Sequence, residues 1–109
     1  MVTIRAHKRF AVCQKARLRK PGKRAEEGLL IELSLDGCRI SNLASETFAL
    51  DQTVTLRIEG AQPVEARIRW LGDGTAGLRF LRPLHNAALD GLIRLCRGQA
   101  GDAPLRLYA

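Results

Sequence analysis

Apolar and charged residues alternate along Phe10–Arg19. Phe10, Val12, Ala16 and Leu18 fall on one face, with Gln14 as a polar interruption, and Lys15, Arg17 and Arg19 fall on the other. A period of two is that of a strand with one face in a core. Pro21-Gly22 then reads as a turn. Residues 28–33 predict a second strand and 38–41 a third, joined by the turn Ser34-Leu35-Asp36-Gly37. Residues 42–52 show no period and read as a loop. Val54, Leu56 and Ile58 share one face of a fourth strand over 53–58. Val64, Ala66, Ile68 and Trp70 share one face of a fifth over 63–70, which leaves Glu65, Arg67 and Arg69 in water. Glu59-Gly60-Ala61-Gln62 suits a hairpin between them, and Gly72-Asp73-Gly74 suits another before a sixth strand over 75–81. After Pro83 the period becomes helical: Leu84, Ala88, Leu92 and Leu95 recur on one stripe, widened by Leu89 and Ile93. Pro83 suits the first helical position and Gly98 the stop. Six short strands at hairpin spacing predict a mainly β fold, a six-stranded antiparallel barrel with a C-terminal α-helix covering one open end.

Composition narrows the class. A chain of 109 residues has room for one domain. The expected division is an arm over 1–9, a barrel plus helix over 10–97 and a flexible tail over 98–109. No stretch approaches the roughly 18 apolar residues of a membrane span, and the first residues lack the apolar run of a secretion signal, so the expected location is the cytoplasm. The net charge of +7 points to an anionic partner, which nucleic acid, a membrane surface and a phosphorylated small molecule all satisfy. Cys13, Cys38 and Cys96 are far apart, odd in number and in no CxxC spacing. They read as three reduced thiols, with neither a disulfide nor a metal site. No Ser-His-acid order, phosphate-binding glycine loop or dinucleotide fingerprint is present, and His7 and His85 read as surface residues, so no catalysis is expected.

Two segments carry candidate chemistry. Arg5-Ala-His-Lys-Arg9 places two guanidinium forks just ahead of the first strand, and a fork suits phosphate and the O6/N7 edge of guanine. The second is the strand end and turn containing Glu32, Ser34 and Gly37. Ser34 suits either a turn closure or a ligand contact. Gly37 suits a positive φ or a close approach, and Glu32 is an acceptor for the N1 and N2 hydrogens of guanine.

The order RxxxR, strand, then xxSxxG, followed by Ala66-Arg67-Ile68-Arg69-Trp70 and Gly77-Leu78-Arg79-Phe80, resembles the PilZ domain family across residues 4–97. The resemblance implies the barrel and helix already read from periodicity, and it implies a ligand, cyclic di-GMP. It further implies that Arg5 and Arg9 wrap the phosphates and guanine faces while Ser34, Gly37 and the residue at position 32 line the opposite side. Glu32 departs from the Asp or Asn usual there and moves the acceptor by one methylene. The apolar Ile4 before the first arginine implies a single bound ligand molecule. The expected function is therefore a receptor whose arm folds over the barrel on binding cyclic di-GMP and signals to an unidentified protein, with no cofactor of its own. An adaptor that no longer binds the nucleotide is the alternative. A basic barrel for nucleic acid ranks third, because Phe10, Trp70 and Phe80 read as inward-facing, which leaves Phe48 and Tyr108 as exposed stacking platforms.

Overall fold

The structure, a computed structural model, describes the backbone of residues 8–44 and 48–101, and the side chains of these as far as Arg97. Six strands and one helix follow in chain order: β1 (Phe10–Arg19), β2 (Ala25–Leu33), β3 (Gly37–Ser41), β4 (Thr53–Arg57), β5 (Val64–Gly72), β6 (Thr75–Phe80) and α1 (Asn86–Gly101). The strands form a closed antiparallel barrel in the order β1-β2-β3-β6-β5-β4. This is the mainly β architecture that the alternation predicts.

The inward residues meet along the axis. Leu18, Leu30, Leu33, Ile40, Val54, Leu56 and Ile68 are almost wholly buried, and Phe80 packs among them. The β5–β6 hairpin turns through Asp73 and Gly74, both with positive φ, as a type I′ turn requires. Three bulges interrupt the pairing. They lie in β1 between Ala11 and Gln14, in β2 at Ile31 against β3, and in β5 at Arg69 against β6. Each adds one residue to its strand, and in β2 and β5 this reverses which face the following side chains meet.

The helix begins at Asn86, three residues after Pro83, and continues through Gly98 to Gly101. A glycine ends a helix when the chain turns left-handed there; inside a helix it costs about 1 kcal/mol relative to alanine and is accommodated. Leu89, Leu92 and Cys96 bury the apolar stripe, which lies against β1 and the β4–β5 connection. The Leu84 N–H donates to the Leu35 carbonyl at 2.7 Å, anchoring the approach to the helix on the β2–β3 turn. Near its other end, the Arg97 guanidinium donates twice to the Ala11 carbonyl, at 2.7 and 3.2 Å, within the bulged stretch of β1. No described helix is long and apolar enough to cross a membrane.

Candidate functional site

One cross-strand row on the outer face of the barrel assembles the site. Glu32 of β2 stands opposite Arg39 of β3, Arg39 opposite Gly77 of β6, and Gly77 opposite Trp70 of β5. Two members of this row are outside because of bulges. Leu30 and Leu33 are both buried although they stand three positions apart, a spacing that regular alternation sends to opposite faces. The extra residue, Ile31, resets the alternation and turns Glu32 outward. At β5, the extra residue Arg69 does the same for Trp70, which is 43% exposed. Trp70 was expected on the inward face, and the bulge overturns that expectation.

Gly77 explains the position of the indole. A Cβ there would stand 2.7 Å from Trp70 Cδ1 and overlap Nε1 and Cε2, so only glycine lets the ring lie flat across the strand. The ring thereby reaches Arg39, whose guanidinium lies 5.5 Å from its centroid in a cation–π contact. On the other side, Glu32 lies 3.9 Å from Arg39 and takes the Arg9 guanidinium at 3.2 Å. One carboxylate thus bridges the arginine that precedes β1 and an arginine of β3.

The turn after β2 closes one end of this row. The Ser34 hydroxyl donates to Asp36 Oδ1 at 2.8 Å, and the Gly37 N–H donates to Ser34 Oγ at 3.2 Å. Ser34 is 7% exposed, so its hydroxyl closes the turn. Gly37 does not have positive φ; its smallness admits the Leu78 carbonyl of β6, which a Cβ would overlap. Together these residues line an open cleft of about 210 Å³ whose charged side chains are Arg9, Arg39, Arg69 and Arg79 against Glu32 and Asp36. Four cations facing two carboxylates leave an excess of two positive charges, the complement of a dianion.

Of the residues expected at the site, Arg9, Glu32, Ser34 and Gly37 come together, and Arg5 and Ile4 lie outside the described residues. Arg39, Arg69, Arg79 and Trp70 are pocket residues that the sequence reading missed. The convergence of the three arginines depends on strand register and the exposure of Trp70 on the β5 bulge, although Arg67, Arg69 and Trp70 in close succession mark a charged aromatic edge. Phe48, expected as an exposed platform, is buried at 8%, and Tyr108 is not described.

All three cysteines are free, with Cys38 and Cys96 buried. Burial, and then the charge of Glu32, pushes the Cys38 thiol pKa well above its ordinary value. Burial also raises that of Cys96, partly offset by Arg97. Among the described residues no group of His, Cys, Asp and Glu could hold a metal ion.

The comparisons with known proteins agree with this geometry. The PilZ domain crystal structure from CeSA of a cellulose-synthesizing bacterium superposes with a TM-score of 0.64 at 19% identity, covering 84% of this chain and 97% of that one. The Bacillus subtilis inhibitor of motility (MotI/DgrA) superposes with a TM-score of 0.63 at 14% identity, covering 94% of this chain and 54% of that one. No curated protein matches significantly. The family model described as PilZ domain matches residues 3–98, nearly the whole of the barrel and helix, and the chain belongs to the PilZ domain family.

Proposed function

We propose that this domain is a cyclic di-GMP receptor without catalytic activity, which works in the cytoplasm and passes the nucleotide's presence to a partner protein. PilZ is a family of cyclic di-GMP receptors, and the observation that carries the reading here is the row Glu32–Arg39–Gly77–Trp70 beside Arg9. Arginine forks suit the two phosphodiesters, and the exposed indole offers a face on which a guanine stacks. Arg5 and Arg9 embrace the phosphates and guanine faces, Gly37 and the Ser34 turn form the opposite wall, and Glu32 accepts from the guanine edge once Arg9 turns to phosphate.

Calorimetric titration tests this. Arg9→Ala and Arg39→Ala should each lower the affinity about tenfold or more while the fold survives, since a hydrogen bond to a charged group contributes about 1.5–3 kcal/mol. Unchanged affinity in both variants refutes the reading. A second reading, an adaptor that acts by protein contacts without the nucleotide, is favoured by one observation: Glu32 already supplies an internal counter-ion to Arg9 and Arg39. It predicts no heat of binding from the unsubstituted chain at any accessible nucleotide concentration.

A further inference from the structure

The outer wall of the barrel carries a charge pattern that the fold does not require. Arg17 of β1 stands directly opposite Arg57 of β4, and Arg67 of β5 directly opposite Arg79 of β6. Opposed side chains have Cβ atoms about 4.5–5.5 Å apart, and like charges at that distance lower stability. All four are exposed. Arg19, opposite Thr55, adds a fifth cation to the same face. Glu32 pairs with Arg9 and Arg39, whereas none of these five arginines has a carboxylate at pairing distance among the described residues.

The register makes the five into one surface. Arg79, Arg67 and Thr53 form one row, Glu65, Thr55 and Arg19 the next, and Arg57 and Arg17 a third, across the consecutive strands β6, β5, β4 and β1. Successive outward positions on one strand are about 6.8 Å apart. Glu65 is the one carboxylate inside these rows, and Glu27 borders them opposite Arg17 on β2. Only Arg79 is shared with the cleft.

From this pattern we propose that the β6-β5-β4-β1 wall docks a carboxylate-rich surface of another protein. The inference rests on the reading that the domain acts through a protein partner, and it does not depend on nucleotide occupancy. Guanidinium forks pair with carboxylates in a planar, bidentate geometry, and a carboxylate lying between two opposed arginines relieves their repulsion as it binds. Nucleic acid fits less well. These rows present no aromatic side chain for bases to stack on, and Glu65 repels phosphates, whereas a protein can offer it a lysine or arginine. An anionic membrane also fits less well, because the rows hold no apolar side chain to enter the interface.

The test titrates the full chain with a short polyglutamate, a mixed-sequence DNA duplex and phosphatidylglycerol vesicles at low ionic strength. It compares the double variant Arg57→Glu/Arg67→Glu with an equal charge change elsewhere, Arg82→Glu/Arg94→Glu. The wall variant should lose polyglutamate affinity about tenfold or more and the control about twofold at most. Because each new glutamate faces an arginine, the wall variant should melt no lower than the unsubstituted chain. Its cyclic di-GMP affinity should fall no more than about fivefold, since Arg79 alone among the cleft residues gains a carboxylate neighbour and an exposed ion pair contributes about 0.2–1 kcal/mol. If neither protein binds the nucleotide while the wall effect holds, the receptor reading fails and the docking surface stands. Equal losses in the two variants would show attraction by net charge alone and overturn the proposal. So would wall-dependent binding of duplex or vesicles that is tighter than that of polyglutamate.

Discussion

Replacing Gly77 by alanine isolates the contribution of the indole shelf. The new methyl would stand 2.7 Å from Trp70 Cδ1 and overlap two further ring atoms, where ordinary contact begins near 3.4 Å. One partner must move. The backbone of β6 is held by β3 and β5, whereas the ring is 43% exposed and free to swing into water. The swing forfeits the Arg39 contact, about 0.5–1 kcal/mol at an exposed site, so the fold should survive with a loss of about 1 kcal/mol. Ligand binding should suffer more. A base stacked on an aromatic ring contributes about 1–3 kcal/mol, so the affinity for cyclic di-GMP should fall about 5- to 150-fold. Trp70 is the chain's one tryptophan, so its emission reports directly on the ring: the free variant should emit further to the red, and nucleotide should shift it less. Gly37→Ala is the instructive contrast. Its methyl would overlap the Leu78 carbonyl oxygen and lie 3.3 Å from the carbon behind it, all backbone. β3 and β6 would have to part, and loss of binding would follow from loss of fold. A folded Gly77→Ala protein with unchanged emission and affinity would refute the shelf.

Glu32→Asp should raise cyclic di-GMP affinity about two- to fivefold by withdrawing the carboxylate from Arg9 while keeping an acceptor for guanine, since a partly exposed ion pair contributes about 0.2–1 kcal/mol; calorimetry at fixed salt checks it. Arg97→Ala removes both donations to the Ala11 carbonyl and should lower the melting temperature by about 4–8 °C, the shift expected for about 1 kcal/mol in a domain of this size. Cys38, whose pKa is raised in the fold, should make stability fall with alkaline pH. The unfolded thiol, with an ordinary value of 9.0, loses its proton while the folded one still holds it, so unfolding releases a proton, and denaturant titrations should lose about 1.4 kcal/mol per pH unit above that point. Thiol labelling of the native protein should accordingly reach half-buried Cys13 well before Cys38 or Cys96.

The sequence reveals the barrel more readily than the site. The inward faces of β1, β4 and β6 follow from simple alternation, because Val12, Leu18, Val54, Leu56, Ala76, Leu78 and Phe80 repeat at even spacing. Arg9, Glu32, Ser34 and Gly37 were identifiable from motif order. Trp70 was assigned to the wrong face because parity carries no mark of an inserted residue: Arg69 looks like any outward arginine until its partner strand shows that it has none. The odd spacing of Leu30 and Leu33 is the one trace such a bulge left in the sequence. Arg39 and Arg79 read as ordinary outward charges, and their common cleft exists only through the pairing of β3 with β6, a contact between segments some forty residues apart.

The pairing of Arg9 with Glu32 also changes how a switch in this domain would work. An arm that merely gains order on binding would convert the full energy of its arginine–phosphate contacts into ordering. Here Arg9 holds Glu32 at 3.2 Å, so a nucleotide bound as proposed would exchange one anion for another at that residue. A ligand shifts an equilibrium only by its differential affinity for the two states. A charge-assisted phosphate contact of about 1.5–3 kcal/mol set against an exposed pair of about 0.2–1 kcal/mol leaves roughly 1–2 kcal/mol at Arg9 to drive the change. Two residues further on, the Ala11 carbonyl is gripped by Arg97 of the helix, and the strand beyond is paired on β2. The exchange at Arg9 therefore has its fixed point at Ala11, and α1 touches that point directly, so any displacement that passes Ala11 meets the helix first.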